Sequence, residues 1–296
     1  MLGAIIGDIC GSVYEWKNQK DINMVELFKQ GSFPTDDSVM TVAVARAFMD
    51  SENMDDDWIK EILINSMHYY GALFSKAGYG GNFSRWLGCY ERSAYNSFGN
   101  GSGMRVSPIG WLYDSLAETL YFAKISAEVT HNHPEGIKGA QAIAACIYLA
   151  RTAHSKDEIR IYVEDNFYDL DFTLDEIRPG YVFDVTCQGS CPQAIVAFLE
   201  SDDFDDAIRK AISIGGDSDT IAAMTGAIAE AFYGIPLETA RKCFKTLVNR
   251  TSPVHAYNNS VIASVIRDFW KFLEDRGMTS PRVKGLFEEE AGQNDY

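Results

Sequence analysis

Apolar residues recur at the spacing of an α-helix along most of this chain. Residues 37–50 predict a helix with one apolar face, formed by Met40, Ala43, Val44, Ala47 and Phe48. Residues 57–74 predict a second amphipathic helix, with Ile59, Ile62, Leu63 and Met67 on its buried side. The spacing in both segments is helical, so the first part of the chain is expected to be built from helices.

The same pattern continues through the second half of the chain. Residues 135–151 form an alanine-rich segment that predicts a long, mostly buried helix, and residues 204–214 and 255–275 predict two more. Residues 218–233 are apolar on nearly all sides. A helix that is apolar all round has to be surrounded by other elements, so this one is predicted to be central.

Signals for β-structure are weak. No two alternating segments are joined by a hairpin turn, and the short stretch 181–185 is the only candidate for extended chain. We therefore predict an all-α fold: one compact domain over residues 1–275, with an orthogonal arrangement of about a dozen helices. Residues 276–296 are polar and acidic, and we expect this tail to be peripheral.

The composition restricts the partners. With 296 residues, 46% of them hydrophobic, the chain is long enough for one large core. Its formal charge is −16 and its pI is about 4.7. So acidic a surface argues against nucleic acid or an anionic membrane as partner, since both require basic patches. A small nucleotide is still compatible, because a bound metal offsets its charge locally.

The cysteines and the N-terminal segment point to a cytoplasmic protein. The six cysteines are Cys10, Cys89, Cys146, Cys187, Cys191 and Cys243. Most lie in apolar helical runs, and the pair at 187 and 191 has no matching second pair for zinc. The first residues carry no basic segment typical of a signal peptide, and no apolar run reaches the roughly 18 residues of a membrane span. We expect a monomer.

Two acidic clusters about 180 residues apart carry the candidate chemistry. The first is Thr35-Asp36-Asp37-Ser38, and the second is Gly215-Gly216-Asp217-Ser218-Asp219-Thr220. Either cluster alone is compatible with an ordinary helix N-terminus, with a capping hydroxyl and acidic residues in the first turn. Both adjoin strongly apolar helices, however, so their carboxylates are expected to be poorly solvated. Together they would make a set of four carboxylates and two hydroxyls that suits Mg²⁺ or Mn²⁺.

The chain resembles the ADP-ribosylglycohydrolase family, which includes dinitrogenase reductase-activating glycohydrolase. The resemblance rests on six motifs in order, which together cover almost the whole chain: Gly3–Asp8 with Gly11–Glu15, Thr35–Thr41, Gly78–Gly81, Gly99–Gly110, Thr130-His131 and Gly216–Ala222. It implies an all-α fold with two adjacent Mg²⁺ or Mn²⁺ ions at the bottom of a central cleft. The metal ligands that it implies are Thr35, Asp36, Asp37, Asp217, Asp219 and Thr220.

The resemblance also implies roles in catalysis. Asp36 or Asp37 would position or deprotonate the attacking water. Glu15 matches the family's mobile glutamate, which would either close over the site or protonate the leaving group. Ser38 stands where many relatives have threonine, and it keeps the hydroxyl.

Further residues are implied to bind substrate. The backbone of Gly78, Gly80 and Gly81 would cradle a diphosphate, since glycines allow close approach to N–H groups. The segment Ser97, Phe98, Gly99, Asn100 and Gly101 would line the ribose and adenine end. Phe98 either stacks on adenine or packs in the core. His131 belongs to the family's Thr-His pair at the cleft, and its alternative is a purely structural histidine.

The implied activity is hydrolysis of the glycosidic bond between ADP-ribose and an acceptor side chain, which reverses protein mono-ADP-ribosylation. The acidic surface favours a cationic acceptor, hence arginine. One alternative is a hydrolase of another ADP-ribose conjugate such as O-acetyl-ADP-ribose. Another is a catalytically silent family member that binds ADP-ribose or is structural. The complete set of acidic ligands argues against the silent alternative.

Overall fold

The computed structural model describes residues 1–248 and 256–278. Within them the chain forms fifteen α-helices and a short 3-10 turn at Ile22–Met24. The helices are α1 Leu2–Gly11, α2 Asp36–Asp50, α3 Asp56–Leu73, α4 Gly81–Gly88, α5 Gly101–Met104, α6 Ile109–Leu112, α7 Leu116–Glu128, α8 Pro134–Arg151, α9 Lys156–Asn166, α10 Leu174–Ile177, α11 Cys187–Leu199, α12 Phe204–Ser213, α13 Ser218–Tyr233, α14 Leu237–Val248 and α15 Ala256–Asp275.

The all-α prediction is confirmed, and the predicted helices end within a residue or so of the observed ones. The segment 37–50 is α2, and all five residues of its predicted apolar face are buried. In α3, Ile59, Leu63 and Met67 are buried, whereas Ile62 is only partly covered. The stretch 181–185 forms no strand; in the described residues the only β-type pairing is an isolated bridge between Gly99 and Thr186.

Helix α13 is the central element that its sequence predicts. Every residue from Ser218 to Glu230 is buried, and the helix packs against α1, α8, α11 and α12. Because protein contacts all sides of this helix, the helix needs no polar face, and its sequence is accordingly apolar all round. The N-terminus of α13 carries the second acidic cluster, which is therefore held deep in the fold.

Helix α1 crosses α13 with the two backbones in direct contact. A Cβ on Gly7 would lie 2.0 Å from the carbonyl oxygen of Ala222, and one on Gly3 would lie 2.1 Å from that of Gly226. No other residue fits at these positions without moving a helix. Because Gly3, Gly7 and Gly11 recur every fourth residue, the whole inner face of α1 approaches α13 closely.

The N-terminus of α1 is closed by a carboxylate from α13. Glu230 Oε2 accepts the backbone N–H of Gly3 at 2.8 Å and the Met1 ammonium at 2.6 Å. The carboxylate is buried, so it satisfies donors that a helix start otherwise leaves without partners. These hydrogen bonds also fix the position of α1 along α13.

Three further predictions concern the C-terminal tail, the cysteines and membrane-spanning helices. Residues 279–296 of the predicted tail lie outside the described residues, and Arg276 pairs with Glu52 at 2.6 Å. All six cysteines are free thiols. Across residues 1–248 and 256–278, no helix is both long and apolar enough to cross a bilayer.

Candidate active site

The two acidic clusters meet where α2 and α13 begin. Thr220 donates its hydroxyl to Asp37 Oδ2 at 3.2 Å, and Thr35 Oγ1 lies 3.5 Å from the same oxygen. Thr220 and Asp37 are 183 residues apart in sequence. The juxtaposition expected from the two motifs is therefore present, with both threonines on one carboxylate.

The carboxylates form two adjacent groups that share Asp219. Oxygens of Asp8, Asp37 and Asp219 lie within 4.8 Å of one another, and so do those of Glu15, Asp217 and Asp219. Each of these groups offers carboxylate oxygens that could hold a hard cation. Asp36 belongs to neither group: it occupies the first turn of α2, with Oδ1 facing the loop at Gly78.

The pKa values of these carboxyls are all raised by their surroundings. Burial, followed by the neighbouring carboxylates Asp8 and Asp217, raises the pKa of Asp36 to about 8. Burial raises the pKa of Asp37 and of Asp219 well above the usual range, and the pKa of Asp217 moves in the same direction. So many acids in one buried place repel one another when ionised, and a bound divalent cation removes that penalty.

The donor set fits a hard cation. Asp37 Oδ1 is buried and has no hydrogen-bond partner, although the other oxygen of the same carboxylate accepts from Thr220. A buried carboxylate oxygen without a partner is costly, unless a cation takes the place of a donor. Oxygen-only ligands of this kind suit Mg²⁺ and Mn²⁺. The residues present are therefore compatible with the predicted metals.

Asp8 is a residue of the site to which the sequence analysis assigned no role. It is fully buried on α1, and it accepts hydrogen bonds from Thr35 and Ser38. Burial raises its pKa to about 6, against the lowering effect of those hydrogen bonds. The motif Gly7-Asp8 places an acid inside an apolar, glycine-rich helix, and that signal was available in the sequence.

Glu15 lies just after α1, in a segment that is tied to the second cluster. Asn18 accepts from Gly216 N at 3.0 Å and donates to Gly216 O at 3.2 Å. Burial, followed by the charge of Asp217, raises the pKa of Glu15 to about 7. Glu15 is only partly buried, so its carboxyl is accessible to solvent beside Asp217 and Asp219.

The glycine loop before α4 borders Asp36. Gly78 has φ +102°, which favours glycine, and a Cβ there would lie 3.6 Å from Asp36 Oδ1. Around Gly80 and Gly81, an added Cβ would meet nothing within 4 Å. The N-terminus of α4 thus opens onto free space next to the acidic groups, which is the environment that a diphosphate cradle requires.

The loop that contains Asn100 contacts the second cluster directly. Asn100 donates its side-chain amide to Asp217 Oδ2 at 2.7 Å and to Ser190 Oγ at 3.1 Å. Its neighbour Phe98 is 44% exposed and lies 5.3 Å from the His133 ring. Asn100 therefore holds a carboxylate of the site, in addition to its predicted place beside the substrate, and Phe98 is available for stacking.

His131 lies beneath the same loop. Its Nε2 would be 3.1 Å from a Cβ on Gly101 and 3.6 Å from one on Gly99. Its Nδ1 is 2.8 Å from Thr130 Oγ1, which accepts a hydrogen bond from Arg105 at 2.7 Å. Burial and the nearby Arg105 charge hold the pKa of His131 well below its usual range. The lowered pKa favours the neutral ring, which lies against the loop, and a substrate contact stays a prediction.

Residues 155–190 have no role that the sequence defines beyond a possible place at the rim of the cleft, and in the structure the part from 178 to 190 lies against the site. Tyr181 packs over Gly216, where a Cβ would lie 2.5 Å from the ring. Phe183 stacks on Trp16 with ring centroids 5.2 Å apart, and Trp16 is 77% exposed. The segment lacks a periodic pattern, so only the fold reveals that it borders Asp217 and the loop carrying Glu15.

Comparison with known proteins agrees with this architecture. The sequence model of the ADP-ribosylglycohydrolase family matches residues 1–260. ADP-ribosylhydrolase ARH3 of Homo sapiens is 28% identical over 313 aligned residues, covering 79% of this chain and 84% of the human protein. ADP-ribosylarginine hydrolase Tri1 of Pseudomonas putida is 26% identical over 266 residues, covering 79% of this chain and 70% of the bacterial protein.

A solved structure described as an ADP-ribosylglycohydrolase-related protein complex has the same fold. It superposes with a TM-score of 0.58 at 18% identity, and the match covers 90% of this chain and 96% of the other. The family match spans nearly the whole described chain and includes both acidic clusters. The chain belongs to the ADP-ribosylglycohydrolase family and is an enzyme of that class.

Proposed function

We propose that this protein hydrolyses the glycosidic bond between ADP-ribose and an acceptor side chain, with two Mg²⁺ or Mn²⁺ ions bound between α2 and α13. The observation that carries the proposal is the pair of carboxylate groups joined at the buried Asp219. The relatives whose names describe ADP-ribose hydrolysis support the reaction class. The substrate would be an ADP-ribosylated protein or a small ADP-ribose conjugate.

Thr35, Asp36, Asp37, Asp217, Asp219 and Thr220 would hold the ions. Bound there, the metals supply a template for the hydroxyls of the distal ribose and lower the pKa of a water molecule. Asp37 and Asp219 are supported as ligands by their shared position, and Asp36 by its place between the carboxylates and the glycine loop.

The chain's own residues supply the remaining steps. Asp36 or Asp37 orients the attacking water and accepts its proton, while the carboxylate-rich wall stabilises positive charge that develops on the sugar. Burial and the charge of Asp217 raise the pKa of Glu15 to about 7, and the side chain is partly exposed, which supports the role of proton donor to the leaving group. Gly80 and Gly81 leave room for the diphosphate, and Phe98 for the adenine.

Arginine is the acceptor that this site favours. The mouth of the site combines the carboxylate of Glu15 with the exposed ring of Trp16, and a guanidinium group both pairs with carboxylates and stacks on aromatic faces. The name of the Pseudomonas putida relative describes an ADP-ribosylarginine hydrolase. We therefore propose ADP-ribosylated arginine as the substrate.

We propose that the enzyme works in the cytoplasm. Six free cysteines, five of them buried, support a compartment that keeps thiols reduced. Cys187 and Cys191 lie one helical turn apart beneath the Asn100 loop, where oxidation would disturb the site.

Substitution of the carboxylates tests the proposal. Asp36→Asn and Asp219→Asn should each lower the rate of ADP-ribose release by several orders of magnitude, measured with ADP-ribosylated arginine peptide at saturating Mg²⁺. Asp57→Asn, on the exposed face of α3, is the matched control and should leave the rate unchanged. Near-normal turnover by both cleft variants would overturn the two-metal proposal.

A further inference from the structure

We propose that Asp8 caps helix α2 from a neighbouring helix and thereby frees the Thr35 hydroxyl to bind a metal ion. Asp8 is accordingly a positioning residue, which acts on the cation only through Thr35. The inference rests on the proposed metal centre. It concerns an acid that lies within the same carboxylate group as Asp37 and Asp219 and would otherwise be taken for a ligand.

The first observation is the missing local cap. Thr35 is the N-cap residue of α2, and in that position a threonine hydroxyl ordinarily accepts a backbone N–H from the first turn. Here the Thr35 side chain makes no such bond. Several other helices of this protein do have the expected side-chain cap, for example Ser155 on α9 and Thr186 on α11. The first turn of α2 therefore obtains its acceptor elsewhere.

Asp8 supplies that acceptor from α1. Its Oδ2 accepts the backbone N–H of Thr35 at 2.9 Å and that of Ser38 at 3.0 Å. These are the N-cap and third helical positions, the two donors that a capping box satisfies within a single chain segment. A carboxylate from another helix thus does the work that the threonine hydroxyl would otherwise do, and its negative charge also complements the helix dipole.

The hydrogen bonds of Asp8 also distinguish it from a metal ligand. Besides the two backbone donors, it accepts the Thr35 hydroxyl at Oδ1, 2.6 Å away, and the Ser38 hydroxyl at Oδ2. Asp8 thus accepts from four donors in all, three at Oδ2 and one at Oδ1. Asp37 differs, because its Oδ1 is buried without any donor. Both oxygens of Asp8 are therefore engaged by protein donors, whereas Asp37 Oδ1 is open to a cation.

The orientation of the Thr35 hydroxyl follows from that contact. A hydroxyl has one proton, and the 2.6 Å bond commits it to Asp8 Oδ1. The lone pairs of Thr35 Oγ1 then face Asp37 Oδ2, 3.5 Å away. Two oxygens that turn lone pairs toward each other at this distance repel unless a cation lies between them. Asp8 therefore orients the Thr35 hydroxyl so that its lone pairs are available for coordination before a metal ion binds.

Mn²⁺ affinity of the full-length protein, measured by titration calorimetry without substrate, tests this role. Asp8→Asn should weaken binding by about 10- to 100-fold, the usual cost of losing an outer-shell partner, and Thr35→Val, which removes the ligand itself, should weaken it at least as much. Because Asp8 acts through Thr35, the double variant should bind no more weakly than the weaker single variant. Thr41→Val removes another buried hydroxyl of α2, which donates to Met104 O at 3.4 Å, and should bind as the wild type does.

The outcomes separate the possible failures. A wild-type protein that binds no Mn²⁺ would contradict the metal centre itself. A folded Asp8→Asn protein with wild-type affinity, or losses that multiply in the double variant, would overturn only the role of Asp8. If Asp8→Asn does not fold, Thr35→Val and Thr35→Ser test the inference instead. The inference requires that Thr35→Val loses Mn²⁺ affinity. It also requires that Thr35→Ser, which keeps the hydroxyl, retains that affinity.

Discussion

Gly11 of α1 passes so close to Asp219 of α13 that a Cβ on Gly11 would lie 2.4 Å from the Cα of Asp219. The contact is between two backbones, so neither side can yield by rotating a side chain. It joins the packing of the fold to the site directly, because Asp219 belongs to both carboxylate groups. The glycine stripe on α1 is therefore a requirement of the site as well as of the core.

Gly11→Ala is accordingly expected to damage both stability and metal binding. An added methyl group in so tight a contact should cost about 1–3 kcal/mol of unfolding free energy. It should also weaken Mn²⁺ binding, since relief of the clash moves Asp219. Thermal unfolding and calorimetric titration measure the two effects. Gly88→Ala is the control, because a Cβ there meets nothing within 4 Å; equal behaviour of the two variants would contradict this account.

The amide of Asn100 should matter through Asp217. Asn100→Ala removes a 2.7 Å hydrogen bond to that carboxylate, and hydrogen bonds to charged groups contribute about 1.5–3 kcal/mol. We expect kcat/KM for ADP-ribose release to fall by about 10- to 100-fold, which corresponds to the loss of that much free energy in the transition state. Asn65→Ala, at an exposed position on α3, should have no effect. Wild-type kcat/KM in the Asn100 variant would show that the contact is dispensable.

The open space before α4 predicts a selective defect in binding. Gly81→Val should fold normally because a Cβ at that position meets nothing, yet its side chain would occupy the space assigned to the diphosphate. ADP-ribose affinity should fall at least about tenfold, while adenosine, which has no diphosphate, should bind as before. Gly88→Val is the matched control. An unchanged ADP-ribose affinity would mean that this loop does not bind the diphosphate.

His131 should make a pH-dependent contribution to stability. Its pKa is held below 6.5 in the folded protein, because the ring is buried and faces Arg105, while Thr130 and the Tyr95 ring complete its surroundings. The unfolded chain therefore takes up a proton below about pH 6.5 that the folded protein does not, and stability falls as the pH decreases from there toward the folded pKa.

The comparison of His131→Gln with the wild type isolates that effect. The wild type should lose stability relative to the variant between about pH 6.5 and 5, by at most about 1.4 kcal/mol per pH unit. Urea unfolding at several pH values measures the difference. A constant difference across this range would mean that the folded protein accommodates the protonated ring. His154→Gln, near the protein surface, is the control.

Helical periodicity was sufficient to predict the fold. The apolar faces of α2 and α3 and the uniformly apolar α13 are local patterns, and they determined both the helices and the position of the central one. The two acidic clusters were found because each is a short contiguous motif. Their proximity is consistent with the prediction: the first turns of α2 and α13 are both largely buried, and Thr220 contacts Asp37.

Other parts of the site depend on contacts between distant segments. Thr35 had the local pattern of an N-cap, and only the fold reveals that Asp8 takes that role from another helix. In the same way, Asn100 reaches Asp217 across 117 positions, and the segment from 178 to 190 has no periodic pattern that would indicate its place. Such relationships are properties of the tertiary arrangement.

The most direct test of the central claim is ADP-ribose release from matched arginine-linked and serine-linked ADP-ribosyl peptides, measured with Mg²⁺, with Mn²⁺ and with EDTA. The account predicts release from the arginine-linked peptide that requires a divalent metal and stops with EDTA. Release from the serine-linked peptide alone would keep the hydrolase and change the acceptor. Absence of release from both peptides, by protein that still binds ADP-ribose, would contradict the proposed function.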